Sequence, residues 1–230
     1  NDLSINETLM EGRIGYKALV DLTPVIQIAW SPIVLVMHPS FPAKTFVELI
    51  EMAKARPGKV SFGSGGVGTG GHLALEMLKA RAGIDLVHVP YRGNGPAIND
   101  LLGGQVQGMF IQYAVARPHI ATGALRVIAT PSSKRLAVLP DVATIAEAGL
   151  PGFKVEPWFG IAAPAHTPRP IVLKINNEIG QIMRQADVVR RMSELGAEAM
   201  SSSPDSFTRL IEREIAEWGE MIRSAGIKSE

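Results

Sequence analysis

The sequence predicts an α/β fold, with a parallel sheet covered on both faces and a helical tail after it. Between residues 25 and 129, short β-rich runs alternate with helical stretches. The links between them are short and punctuated by glycine and proline. From residue 168 onward the pattern turns helical.

Residues 1–24 read as irregular, broken by Gly12, Gly15 and Pro24. Two short strands follow at 25–29 and 33–37, separated by Trp30-Ser31-Pro32. Thr45 followed by Glu48 is a capping box. It opens a helix carrying Val47, Leu49, Ile50 and Ala53, which stops at Pro57-Gly58. A strand at 59–62, a glycine-rich loop at 63–71 and a helix at 72–82 come next. The strand at 86–89 ends at Pro90, and a short helix at 96–102 starts on a proline tolerated in its first turn. Residues 106–110 and 125–129 are strands with a helical turn at 117–121 between them, and 155–163 is extended. Helices at 168–184, 188–195 and 204–225 close the chain. Thr167-Pro168 and Ser203-Pro204 are cap-plus-proline starts for two of them.

Composition removes several classes of function. The 230 residues suit one large domain or two lobes of ordinary size. With 23 Lys plus Arg against 22 Asp plus Glu, the net charge is +1, without the basic excess of a nucleic-acid binder. There is no cysteine, which excludes disulfides, cysteine nucleophiles and thiolate zinc sites. No apolar run approaches the roughly 20 residues of a membrane span. The polar stretch at 1–6 does not read as a signal peptide. The five histidines, His38, His72, His88, His119 and His166, lack metal-binding spacing, so no metal is expected. No catalytic residue is assigned: Phe62 stands where a G-x-S-x-G elbow around Ser64 needs glycine.

The most informative segment is Ser61-Phe62-Gly63-Ser64-Gly65-Gly66-Val67-Gly68-Thr69-Gly70-Gly71-His72. It leaves a strand and enters a helix, whose first N–H groups have no intrahelical partner and carry the positive end of the helix dipole. Glycines let an anion approach the backbone, and Ser64 and Thr69 add hydroxyls. Each hydrogen bond to a charged group contributes roughly 1.5–3 kcal/mol. Two other readings stay open. Gly63, Gly65 and Gly68 match the dinucleotide fingerprint, although the only nearby acid, Asp85, precedes the next strand instead of ending it. The glycines also suit a tight strand-to-helix turn with no ligand.

A series of blocks in fixed order resembles the substrate-binding proteins of tripartite tricarboxylate transporters, the Bug-type receptors. They are Asp21-Leu22-Thr23-Pro24-Val25, His38-Pro39-Ser40 with Pro42-Ala43-Lys44, and Ala55-Arg56-Pro57-Gly58. The glycine loop ending Gly68-Thr69-Gly70-Gly71-His72-Leu73 follows, then Val87-His88-Val89-Pro90-Tyr91-Arg92-Gly93 and Asp100-Leu101-Leu102-Gly103-Gly104-Gln105-Val106. Leu139-Pro140-Asp141-Val142, Glu147-Ala148-Gly149-Leu150-Pro151-Gly152 and Trp158-Phe159-Gly160 complete the set.

The resemblance implies a two-lobed, type II periplasmic binding fold with hinge strands. It implies a small organic carboxylate held between the lobes, no cofactor, no catalysis, and delivery to the membrane subunits of a transporter. Residues 31–157 are expected to form the second lobe. Residues 1–30 and 158–230, with the C-terminal helices, are expected to be a remnant of the first. The candidate ligand-binding residues are Ser64, Gly65, Gly66, Gly68, Thr69, Gly70 and His72 in the loop, with Arg92 and Asn94 after the next strand. His72 is also read as a residue that caps or packs at the helix start. Ile111 and Gln112 join them because they follow Met109-Phe110, where the family often has aspartate. Loss of that carboxylate disfavours an amino-acid ligand. The alternatives are a dinucleotide-dependent enzyme using the 63–68 loop, or a paralogue that binds nothing.

Nothing in residues 1–24 matches the strands and glycine-containing loop that open the family's first lobe. The chain is therefore expected to lack roughly the first quarter of a family member. The faces bearing Ile171, Ile175 and Ile179, and Leu210, Ile211, Ile215 and Trp218, are then expected to be partly exposed and to drive self-association.

Overall fold

The computed structural model describes residues 2–224 and 226–227. The chain divides into two compact units, Asn1–Ser31 with Pro157–Glu230, and Pro32–Glu156.

The first unit opens with α1 (Asp2–Leu9) and β1 (Leu22–Trp30). The helix corrects the irregular reading of residues 1–24. Ile5 and Leu9 are four apart and buried, and together they form a stripe too short to stand out from the sequence. Tertiary packing supplies what this short helix lacks by itself. The Glu7 carboxylate accepts the Ala18 N–H at 3.1 Å and ties the connection that follows.

The second unit runs β2 (Ile33–Met37), α2 (Phe46–Ala55), β3 (Ser61–Ser64), α3 (Gly70–Ala82), β4 (Val87–Pro90), α4 (Asn94–Leu102), β5 (Gly108–Gln112), α5 (Tyr113–Ala121) and β6 (Arg126–Ala129). The strands form one sheet in the order β4-β3-β5-β2-β6. β3 is parallel to β4 and β5, whereas β2 is antiparallel to β5 and β6. The expected parallel sheet is thus mixed. Strand–helix alternation encodes order, but β2 enters from the first unit instead of through a helical crossover, so its direction is not set by that rule. All five residues of β2 are buried, as an unbroken apolar run requires in a strand with neighbours on both sides. At Gly108 a Cβ would lie 2.6 Å from Met37 Sδ and 2.7 Å from Phe62 Cζ, so β5 sits between two large side chains only because that position is glycine.

The capping box holds with one change. Thr45 Oγ1 accepts the Glu48 N–H at 3.2 Å, while the Glu48 carboxylate reaches one residue further back, to Lys44 N–H at 2.6 Å. The loop beyond β6 is ordered around Glu147, which accepts the Thr144 N–H at 2.8 Å and pairs with Arg135 at 3.0 Å.

The chain then returns to the first unit with β7 (Trp158–Pro164), α6 (Arg169–Met183), α7 (Ala186–Glu194), β8 (Glu198–Ala199) and α8 (Pro204–Ser224). The sheet order is β7-β1-β8, with both pairings antiparallel. The two-residue β8 carries no periodicity to read. On this sheet Trp158 meets Phe207 edge to face, centroids 4.9 Å apart, beside Ala18 and Ile211. Val25, Ile26 and Val172 form a second cluster with Ile175 and Ile179 against it. The α8 face is covered in part: Ile211 and Trp218 are buried and α1 packs on α8, while Leu210 and Ile215 are only partly buried. On α6, Ile171 and Ile182 remain about half exposed, at 49% and 48%. Among the described residues no helix is long and apolar enough to cross a membrane.

Candidate functional site

Because β3, β4 and β5 are parallel, their C-terminal ends, at Ser64, Pro90 and Gln112, lie along one edge of the sheet. Ligands of open α/β sheets gather at such an edge. The glycine loop leaves β3 there and enters α3.

A loop this rich in glycine loses much chain entropy on ordering and needs fixing groups. Gly66 and Gly68 have φ of 127° and 81°, values that only glycine adopts without strain. Neighbouring side chains hold the peptides between them. Ser64 Oγ accepts the Gly66 N–H at 3.1 Å and faces the Gly66 carbonyl at 3.2 Å. Thr69 Oγ1 donates to that carbonyl at 2.8 Å and accepts the His72 N–H at 3.4 Å as the N-cap of α3. The Gly68 N–H donates to His72 Nδ1 at 3.1 Å. The hydroxyls of Ser64 and Thr69, read from sequence as ligand donors, are hydrogen-bonded within the loop, and Ser64 is fully buried.

Beneath the loop the His72 and His88 rings stack, centroids 4.1 Å apart and 18° from parallel. His88 Nε2 lies 2.7 Å from Ser64 Oγ. Burial, reinforced for His72 by Lys79, lowers the His72 pKa to about 4. Burial, then the neighbouring His72, lowers that of His88 to about 4 as well. Both rings are neutral at neutral pH. His88 was not among the residues singled out from sequence. Only the pairing of β3 with β4, which sets Phe62 opposite His88 and Ser64 opposite Pro90, brings it under the loop.

Asn94, in the first turn of α4, donates from Nδ2 to Gln112 Oε1 at 2.8 Å and sets its own Oδ1 against Gly65. The Gly93 N–H donates to the Gly65 carbonyl at 3.0 Å. Asn94 and Gln112, distant in sequence, are thus neighbours of the loop. Tyr91, also unforeseen, donates to Asp100 at 2.6 Å, and its ring lies against Gly63. Burial first, then Asp100, pushes the Tyr91 hydroxyl up to about 12. Arg92 is exposed and makes no hydrogen bond or ion pair among the described residues. Ile111 is buried within β5, opposite Val34.

What the loop leaves without a partner is backbone. Gly70 and Gly71 are the first two residues of α3, and no acceptor for their N–H groups occurs among the described residues. At Gly71 a Cβ would lie 2.5 Å from the Phe110 carbonyl oxygen, so only glycine lets the helix start sit this close to β5. β4 ends in Pro90-Tyr91-Arg92, without the carboxylate by which a dinucleotide fold holds ribose. Among the described residues no group of three or more His, Cys, Asp or Glu side chains could hold a metal.

The family model described as Tripartite tricarboxylate transporter family receptor, TctC, matches residues 4–227. The "UPF0065 protein in tcbD-tcbE intergenic region" of a Pseudomonas species is 39% identical over 91% of this chain, which spans 63% of that protein. Protein BugT of Bordetella pertussis is 36% identical over 98% of this chain, which spans 69% of it. An R. palustris protein solved with adipate superposes with a TM-score of 0.88 at 33% identity, over 98% of this chain and 76% of that one. MatC from Rhodopseudomonas palustris, with bound malate, superposes at 0.82 with 31% identity, over 95% and 76%. Matched by the family model over nearly its whole length and by Bug proteins in sequence and fold, this chain belongs to the tripartite tricarboxylate transporter receptor (TctC/Bug) family of periplasmic solute receptors.

Proposed function

We propose that this chain is a non-enzymatic periplasmic receptor that captures a small organic carboxylate and passes it to the membrane subunits of a tripartite tricarboxylate transporter. Unit 2 is its second lobe, and unit 1 belongs to the first. The observation that carries the reading is the start of α3. Two N–H groups without acceptors stand at the positive end of a 13-residue helix, reached by a glycine loop whose own hydroxyls are satisfied. Relatives solved with adipate and with malate support a carboxylate ligand. Gly65, Gly66, Gly68 and Gly70 give the anion access. Ser64, Thr69 and His72 shape the loop, Asn94 and Gln112 flank it, and the exposed Arg92 supplies positive charge. The apolar Ile111 provides no counter-ion for an ammonium group, which disfavours an amino-acid ligand.

Calorimetry with adipate, malate, glutarate and glutamate tests this. Micromolar binding of at least one dicarboxylate, about 8 kcal/mol, is expected, with glutarate tighter than glutamate. Gly68→Val, which forces a branched side chain onto a φ of 81°, abolishes that binding and leaves the circular dichroism spectrum intact. Absence of binding to every acid, or glutamate binding best, overturns the reading.

The half-exposed Ile171 and Ile182 on α6 support self-association through the first unit. Light scattering should show a concentration-dependent mass that Ile171→Ser with Ile182→Ser reduces to the monomer.

A further inference from the structure

The stacked histidines under the glycine loop have a role that the receptor reading does not itself assign. We propose that His72 and His88 are positioning residues, a neutral pair that holds the loop in its anion-accepting form, and that protonation of His72 releases it at Gly68. The proposal rests on the receptor reading above.

The Gly68 N–H points at His72 Nδ1 from 3.1 Å, so that nitrogen must be bare and the ring proton must sit on Nε2. Nε2 faces Glu76 Oε1 at 4.0 Å, consistent with that tautomer. A proton on Nδ1 would set two donors against each other. The Gly68 peptide would have to turn, and a glycine at φ 81° turns at little cost. His88 acts on the other half of the loop. Its Nε2 reaches Ser64 Oγ at 2.7 Å, and that oxygen accepts the Gly66 N–H. Full satisfaction of Ser64 follows when His88 Nε2–H donates to Oγ and the hydroxyl donates to the Gly66 carbonyl. One imidazole thus fixes the peptide at Gly68, and the other, through Ser64, the peptide at Gly66.

The surroundings keep the pair neutral. His72 is buried at 5% exposure, and a second ring lies 4.1 Å away, so two imidazolium ions would face each other. From α3, Glu76 and Lys79 face the pair and are bound to each other at 2.9 Å. β3 and β5, which pack against α3, carry no titratable side chain, and on β4 His88 is the only one. Two satisfied core histidines would share the burial and the stack. They would not require one tautomer, nor tie it to the Gly68 amide.

Proton–nitrogen correlation NMR on the full chain without ligand decides the point. At neutral pH, His72 is expected as the Nε2–H tautomer. As pH falls toward about 4, the Gly68 amide signal should shift in step with the His72 imidazole. His72→Phe keeps a ring in the stack but removes the acceptor. It should move the Gly68 signal and weaken adipate binding by about tenfold, the loss of one good hydrogen bond. His72→Asn, which returns an acceptor that does not titrate, should restore the Gly68 signal and most of the affinity, and remove the acid response at Gly68. An Nδ1–H tautomer at neutral pH, or a Gly68 amide indifferent to both titration and His72→Phe, overturns the proposal. If the unaltered chain binds no dicarboxylate, the receptor reading fails, while the tautomer and amide signals still decide the role of the pair.

Discussion

The side-chain oxygen of Asn94 occupies the space that a Cβ on Gly65 would need, and the amide nitrogen of the same side chain is bonded to Gln112 at 2.8 Å. One asparagine thus joins the loop after β3, the start of α4 and the end of β5. Gly65→Ala should push Asn94 off Gln112 and destabilise the chain by about 1–3 kcal/mol, as overpacking does. In combination with Asn94→Ala, part of that loss should return. A double-mutant cycle from urea unfolding checks it, since additive costs would mean the two residues do not couple.

A similar contact stands in the first unit. A Cβ on Gly160 of β7 would overlap the Phe207 ring, which packs edge to face on Trp158. Gly160→Ala should therefore lower stability by about 1–3 kcal/mol. Adding Phe207→Leu should recover some of it, and thermal unfolding of the two variants makes the comparison.

Acid should weaken the fold through the histidine pair. His72 and His88 have pKa values of about 4 in the folded chain, against an ordinary value of 6.5. Between those values the unfolded chain binds more protons than the folded one, so stability rises with pH there. Above 6.5 the pair makes no difference. As pH falls from 6.5 to about 4, stability should drop by on the order of 3 kcal/mol for each histidine, less for the partly exposed His88, which water screens. Urea midpoints across that window measure it, and His72→Asn should flatten the slope.

Trp158 Nε1 donates to Glu214 Oε2 at 2.8 Å, and burial raises the Glu214 pKa despite this hydrogen bond. Trp158→Phe keeps most of the ring but removes a donor to a half-buried carboxylate. A loss of about 1–3 kcal/mol is expected where the carboxylate is charged. The penalty should shrink as pH falls and Glu214 takes a proton, because the neutral acid needs that donor less. Denaturant titrations at neutral and mildly acidic pH distinguish this from a plain packing loss, which would not vary with pH.

Local sequence determined the elements whose signals are local. The unbroken apolar run at 33–37 becomes a fully buried strand, Thr45 and Glu48 cap α2, and Pro204 opens the long α8. The family blocks, in order, were enough to name the receptor class. The strand-to-helix glycine loop was legible as a candidate anion site because helix-terminal N–H groups and missing Cβ atoms are local properties. Tertiary structure decided what depends on contacts distant in the chain. The reversed direction of β2 depends on its strand partners, and α1 depends on packing against α8, where it covers part of the α8 face. At the site, sequence could place Ser64, Thr69 and His72 at the loop but not say which way their polar atoms turn. Strand pairing sets His88 beneath them. Once His88 and the Gly66 and Gly68 peptides take up those atoms, only backbone N–H groups at the start of α3 are left without acceptors, because buried polar groups must first satisfy one another.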